Sequence, residues 1–205
     1  RGLGDVYKRQ KLLGKLIRIL YRFVYRFIPC QEKTILFISF HGRGYSDNPM
    51  AIHQYLSKHS QYADYRCIYA IKNHKQKKIK IENARIIEYF SIAYFFYLAR
   101  SKYWIANCKL PKYVLKKDSQ VYLQTWHGTP LKKLAHDIEV PEGTTFYRSE
   151  MSVEEMRSTY DNDVSKYNYM ISPSAFTTEV FQSAFAIERE RSVSYTHLRA
   201  HETLR

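Results

Sequence analysis

The sequence predicts an α/β fold, a doubly wound parallel sheet of Rossmann type preceded by an amphipathic helix. Three observations lead there. Apolar runs rich in isoleucine and phenylalanine alternate with helix-like segments along residues 31–192. The first run, Thr34–Phe40, is continuously apolar, as a strand buried between two layers must be. Glycine-bearing loops, His41-Gly42 and His127-Gly128, follow strand ends, where open α/β sheets place their ligands.

The elements follow in order. Residues 1–10 and 193–205 resemble translated sequencing-adapter read-through and read as non-native additions, with both natural termini outside the sequence. Residues 11–30 form a basic amphipathic helix ended by Pro29. Lys11, Lys15, Arg18, Arg22 and Arg26 fall within an arc of about 80°, and the remaining positions are apolar. Charges at such regular spacing argue against a spanning helix and against the uncharged stretch of a signal peptide. A helix lying in an anionic membrane interface fits better than one merely packed on the body with a basic outer face.

The body occupies residues 31–192. Thr34–Phe40 is the first strand. Asp47 or Asn48 caps a helix that has Pro49 at its first position and runs to about His59. Tyr65–Ile71 is a second strand, Lys72–Lys80 a solvated lysine-rich loop, and Ala84–Tyr89 a third strand. Ser91 caps an aromatic helix reaching Arg100. Tyr103–Asn107 and Gln120–Thr125 are two more strands. Beyond Pro141 come helices over Ser149–Tyr160 and Asp163–Tyr167, a short strand Tyr169–Ser172, and a last helix Ser174–Phe185. Asp161-Asn162-Asp163 reads as a cap and turn before a helix rather than a metal site.

Composition narrows the chemistry. The 205 residues carry a formal net charge of +14. The two ends hold five of the Lys/Arg and two of the Asp/Glu, so the remainder is +11. Such a chain suits anionic partners: nucleic acid, an anionic membrane or phosphorylated substrates. Cys30, Cys67 and Cys108 match no zinc or redox spacing and read as reduced core thiols. No metal site and no cofactor are expected.

The densest cluster is Trp126-His127-Gly128-Thr129-Pro130-Leu131-Lys132-Lys133. Thr129 is expected to cap a helix beginning at Pro130, whose first-turn amides face an anion. Lys132 and Lys133 would be unfavourable in that first turn unless a phosphate lies nearby. His127, between strand end and anion site, suits proton transfer. Ser39-Phe40-His41-Gly42 echoes the same order of hydroxyl, aromatic, histidine and glycine, so both histidines are expected in one cleft, with Arg43 available to a phosphate. His-Gly-x-Gly lacks the third glycine of a dinucleotide fingerprint. Ser172-Pro173-Ser174 reads as a helix entry, with Ser172 a further ligand contact.

At these residues the chain resembles the CDP-glycerol glycerophosphotransferases, the teichoic acid primases and polymerases of Gram-positive bacteria. The likeness rests on Ser39–Gly42 with Tyr45–Pro49, on Gln124–Leu134, on Ile171–Ser174 and on Phe181–Phe185, and it covers Lys33–Ile187. The resemblance implies the N-terminal, acceptor-side domain of a two-domain glycosyltransferase-B-like fold. It implies a peripheral enzyme on the cytoplasmic face of the membrane. Such an enzyme moves glycerol phosphate from CDP-glycerol to a lipid-linked teichoic acid acceptor and releases CMP. His127 is then the catalytic residue, the general base on the acceptor hydroxyl. His41, Gly42, Arg43, Gly128, Thr129, Lys132, Lys133 and Ser172 would bind substrate or phosphate. Most of the CDP-glycerol site, with another histidine motif, would lie in a second domain beyond a truncation near the domain junction. Little or no transferase activity is expected of these 205 residues alone. Two rivals differ in class. One is a related polyol-phosphate or sugar transferase, inseparable on these motifs. The other is a basic nucleic-acid-binding module with aromatics amid lysines at Tyr103–Lys117, disfavoured because no RNP, KH or helix-turn-helix pattern is present.

Overall fold

The computed structural model describes residues 15–16, 18–139 and 151–194. Seven strands form one sheet: β1 (Gln31–Ile38), β2 (Arg66–Ile71), β3 (Ala84–Glu88), β4 (Ser101–Ala106), β5 (Val121–Gln124), β6 (Tyr169–Ser172) and β7 (Ser192–Ser194). Their order is β3-β2-β1-β4-β5-β6-β7, and every neighbouring pair is parallel. The chain winds outward from β1 to β3, crosses back to β4, and winds outward the other way. The reversal between β1 and β4 is the topological switch point, where such sheets bind ligands.

Alternation along β1 builds two cores. Leu36 and Ile38 face one side with Trp104, Tyr122, Leu98 and Phe181; Ile35 and Phe37 face the other with Tyr69, Ile71 and Ile105. Helix α2 (Asp47–Lys58) covers the second side. Helices α3 (Ile92–Arg100) and α5 (Ala175–Phe185) bury their apolar faces in the first, and α4 (Val153–Val164) adds Val164 to it. Capping follows the side chains. Ser91 accepts from Tyr94 N, Ser174 from Thr177 N, and Ser152 forms a reciprocal capping box with Glu155.

Several boundaries differ from expectation. β1 ends before Phe40, because Phe40 and His41 take left-handed backbone (φ 44° and 57°) in a 3-10 turn over Phe40–Gly42. Ser46, not Asp47 or Asn48, flanks α2, and Pro49 sits within the first turn, where its missing N–H costs nothing. The acidic triplet does not break the chain into two helices. α4 runs through Asp161 and Asn162 because Asp163 is buried there, accepting from Leu110 N and Tyr167 Oη. Ser149, where that helix was expected to begin, lies outside the described residues, and Ser152 is its cap. β7 was not anticipated; it adds a parallel edge beside β6.

The helix expected from Pro130 is absent. Residues 130–134 are irregular, and only a 3-10 turn at Ala135–Asp137 follows. Thr129 therefore caps nothing, and no row of helix amides faces the loop. The physical reason is that the segment offers too little to nucleate a turn. Leu131 is 92% exposed, and two lysines would stand at the positive end of the dipole.

The N-terminal helix, α1, is helical at positions 15–16 and 18–24. It shows three faces rather than two. Tyr21 is buried against Phe95 and donates to the Leu115 carbonyl at 2.8 Å, with Tyr25 and Ile28 packed beside it. Arg18 stacks over Tyr113 at one margin of the basic arc. Leu16, Ile19, Leu20, Phe23 and Phe27 form a separate apolar stripe that stays exposed, Phe23 by 70% and Phe27 by 75%. Among the described residues no helix is long and apolar enough to cross a membrane.

Candidate active site

Three strand ends meet at the switch point, and one residue joins them. Asn107 follows β4 and is fully buried. Its Oδ1 accepts from Phe40 N at 2.8 Å, fixing the loop after β1. Its Nδ2 donates to Asp47 Oδ2 at 2.7 Å, fixing the start of α2. Its carbonyl oxygen lies 2.6 Å from His127 Nδ1, fixing the loop after β5. Asn48 adds a second tie, donating to the Thr125 carbonyl at 3.1 Å.

That contact determines the state of His127. A carbonyl oxygen only accepts, so Nδ1 carries the hydrogen, and in the neutral ring Nε2 is left with the lone pair. The ring is held on two sides, stacked on Trp126 (4.6 Å between centroids) and edge-on to Phe40 (5.6 Å). Trp126 is itself clamped on Phe181 and Phe185. Trp126 (φ 53°) and Gly128 (φ 130°) put left-handed backbone on both sides of His127, a local cost of the kind that persists at sites held by their surroundings.

His41 follows Phe40 in the 3-10 turn after β1. Its amide donates to Cys108 Sγ at 3.1 Å, and its side chain is exposed. Crowding by neighbouring atoms, then the charges of Lys72, Arg43, Lys109 and His127, hold its imidazole below the usual range, so it is neutral at pH 7. Gly42 is required: φ is +81°, and a Cβ there would meet Tyr89 Cβ at 2.7 Å. Burial pushes the Cys108 thiol up to about 11 and Cys67 to about 11, which disfavours either as a nucleophile.

Beside His41 opens a cleft of about 550 Å³. Lys109, Lys112, Met156, Thr159 and Tyr160 line it. Lys109 is half-buried and Lys112 exposed. Neither residue stands out in the sequence, where they belong to an ordinary lysine-rich stretch; their position directly after β4 is the only signal. Asn107 left a fainter one, a polar residue closing an apolar strand.

The other expected site residues are placed differently. Arg43 is exposed, and its carbonyl accepts from Lys77 Nζ. Thr129 and Lys132 lie exposed on the irregular loop, and Lys133 pairs with Glu139 at 2.6 Å in solvent. Ser172 is buried, donating to the Ser174 carbonyl at 2.9 Å and accepting from Thr178 Oγ1 at 2.8 Å, so its hydroxyl holds the β6–α5 junction. Among the described residues no group of three His, Cys, Asp or Glu side chains could hold a metal ion.

Known proteins share this architecture. A teichoic acid poly(glycerol phosphate) polymerase from Bacillus spizizenii is 35% identical over 185 residues, 89% of this chain and 45% of that protein. A teichoic acid glycerol-phosphate transferase from Staphylococcus aureus is 34% identical over 91% of this chain and 43% of its own length. A solved structure of the wall teichoic acid polymerase TagF superposes with a TM-score of 0.80 at 32% identity, covering 93% of this chain and 44% of that one. The chain thus spans less than half the length of these relatives. The family model described as CDP-Glycerol:Poly(glycerophosphate) glycerophosphotransferase matches residues 19–196, and the chain belongs to that family.

Proposed function

We propose that this chain forms the acceptor-activating side of a CDP-glycerol glycerophosphotransferase, transferring glycerol phosphate from CDP-glycerol to a teichoic acid acceptor. The observation that carries the reading is the 2.6 Å contact between His127 Nδ1 and the Asn107 carbonyl, which leaves Nε2 as the ring's basic atom. In the proposed reaction Nε2 takes the proton of an acceptor hydroxyl. The hydroxyl oxygen bonds to the phosphorus bearing glycerol, the bond from that phosphorus to the CMP oxygen breaks in line, and CMP leaves with the electron pair. His41, neutral and beside Arg43 and Lys72, is placed to bond a phosphoryl oxygen while those two cations offset developing charge. Gly128 and Gly42 let the backbone turn at both histidines. Thr129, Lys132 and Lys133 remain phosphate contacts only if the irregular loop closes over substrate. The printed names of the relatives, and a TagF structure obtained after a CDPG soak, support the donor and acceptor classes.

The exposed apolar stripe of α1, beside its basic arc, supports a second element of the proposal. The chain lies on an anionic membrane surface, on the cytoplasmic side, where a lipid-linked acceptor is held.

The test is His127→Ala in the full-length enzyme, assayed by CMP release from CDP-glycerol. Turnover is expected to fall by roughly 10²–10⁴-fold, the usual share of a general base, with CDP-glycerol binding retained. Turnover near that of the parent would remove His127 from the chemistry.

A further inference from the structure

We propose that Lys109 and Lys112 form a phosphate subsite for the acceptor, gripping a phosphodiester of its glycerol-phosphate chain behind the hydroxyl that reacts. This rests on the transferase reading above and assigns a role to the cleft beside His41.

Both amines are pinned from the same helix, α4. Lys109 Nζ donates to Thr159 Oγ1 at 2.7 Å and lies 3.7 Å from the Tyr160 ring centroid. Lys112 Nζ donates to Ser158 Oγ at 3.0 Å. An ammonium has three donors, so each lysine keeps two after meeting its hydroxyl. Among the described residues neither amine has a carboxylate within ion-pair distance. Hydroxyls and a ring face orient a cation without neutralising it. Two oriented amines outside any ion pair, in one cleft, match a ligand of repeated negative charge.

The surroundings strengthen the match. Met156, Tyr160 and Leu110 make much of the cleft wall apolar. Attraction between an ammonium and a phosphate grows as the local dielectric falls. Burial lowers the affinity of Lys109 for its proton, partly offset by Asp163; a bound phosphate would restore it.

Position favours the acceptor over the donor as the source of that phosphate. Transfer in line sets the attacking oxygen, phosphorus and leaving oxygen in one row, with the base at the attacking oxygen. The donor's leaving group then lies across the phosphorus from the hydroxyl that meets His127. Lys109 stands on the loop after β4, two residues from Asn107, so the strand end whose carbonyl orients the His127 ring also carries the first lysine. A phosphate there is assigned to the acceptor that brings the hydroxyl, and CDP-glycerol is the competing source that the test separates.

The test is binding, so it does not depend on turnover. A synthetic glycerol-phosphate oligomer is titrated calorimetrically into this chain, its Lys109→Met, Lys112→Met and Lys109→Arg variants and the double methionine variant, with CDP-glycerol as a parallel probe. The parent is expected to bind the oligomer in a salt-dependent way, and the double variant to bind at least about tenfold more weakly. Lys109→Arg should retain binding. Circular dichroism of each variant confirms the fold, and exposed Lys112 serves as the variant least able to disturb it. Oligomer affinity unchanged in a folded double variant overturns the subsite. Loss confined to CDP-glycerol binding overturns the assignment to the acceptor. Failure of the transferase reading is read separately, from turnover of His127→Ala in the full-length enzyme.

Discussion

At the scale of single residues, the site is held by groups whose importance differs in how openly the sequence displays it. His127 and His41 are legible because each follows an apolar strand and precedes glycine. Asn107 is not, because its role exists only when β1, β4 and β5 are adjacent and its three bonds are made. Gly42 gives the first test. Gly42→Ala forces a Cβ against Tyr89 and demands left-handed backbone of alanine, so unfolding free energy should fall by roughly 1–3 kcal/mol or more, read by urea denaturation. A variant as stable as the parent would deny the close approach. Asp163 gives the second. Burial raises its carboxyl from 3.8 to about 6 against opposing bonds from Tyr167 and Leu110. A folded-state value above the unfolded one means the folded chain binds the proton more tightly. The resulting stability is fully present below pH 3.8 and is lost as pH rises through about 6. The loss is on the order of 3 kcal/mol by neutral pH. Unfolding free energy measured between pH 4 and 7.5 should fall across that window in the parent, and Asp163→Asn should flatten this component. An identical slope in both proteins would place the titration elsewhere.

At the scale of elements, two helices show what periodicity reveals and omits. The segment after Thr129 carries residue types common at helix starts, yet it forms no helix, because capping residues help only where a buried apolar face rewards the turn. Leu131, an apolar residue of that segment, is exposed to solvent. α1 was legible as basic and amphipathic, but its wide apolar arc conceals a division visible only once the body is present. Tyr21 and Tyr25 dock on the core, while Phe23 and Phe27 do not. Up to residue 24, at about 100° per residue, the docked, basic and bare faces take separate sectors, and in the turn that follows the Phe27 ring stays beside Phe23, 6.0 Å between centroids. This makes the membrane proposal specific to one face. Phe23→Ser with Phe27→Ser should reduce sedimentation with vesicles of anionic phospholipid by at least about tenfold, since each buried phenylalanine contributes roughly 1.5–3 kcal/mol. The melting temperature should hardly change, because neither ring is in the core. Vesicle binding equal to the parent's would assign that stripe to another partner.

At the scale of the whole molecule, the topology decides which parts of the site stay fixed. The strand alternation and the apolar run of β1 made the doubly wound class legible. The sheet's extent was not, because β7 is a three-residue edge whose pairing comes from β6 rather than from its own pattern. β1 and β4 lie at the centre, each paired on both sides, and their inward residues are fully buried. β3 and β7 each have one strand neighbour. Opening of a sheet proceeds from its edges, so exchange of backbone amides should be slowest in β1 and β4, intermediate in β2 and β5, and fastest in β3 and β7. The carbonyl that holds His127 belongs to Asn107, directly after β4, so the proposed base is oriented by the strand pair that opens last. Hydrogen exchange read by mass spectrometry or NMR should find β4 amides protected at least about tenfold more than those of β7. Equal protection across the sheet would mean that the site is not anchored by its centre. In that case the orientation of His127 would have to come from the stacked Trp126 and the α5 phenylalanines that clamp it.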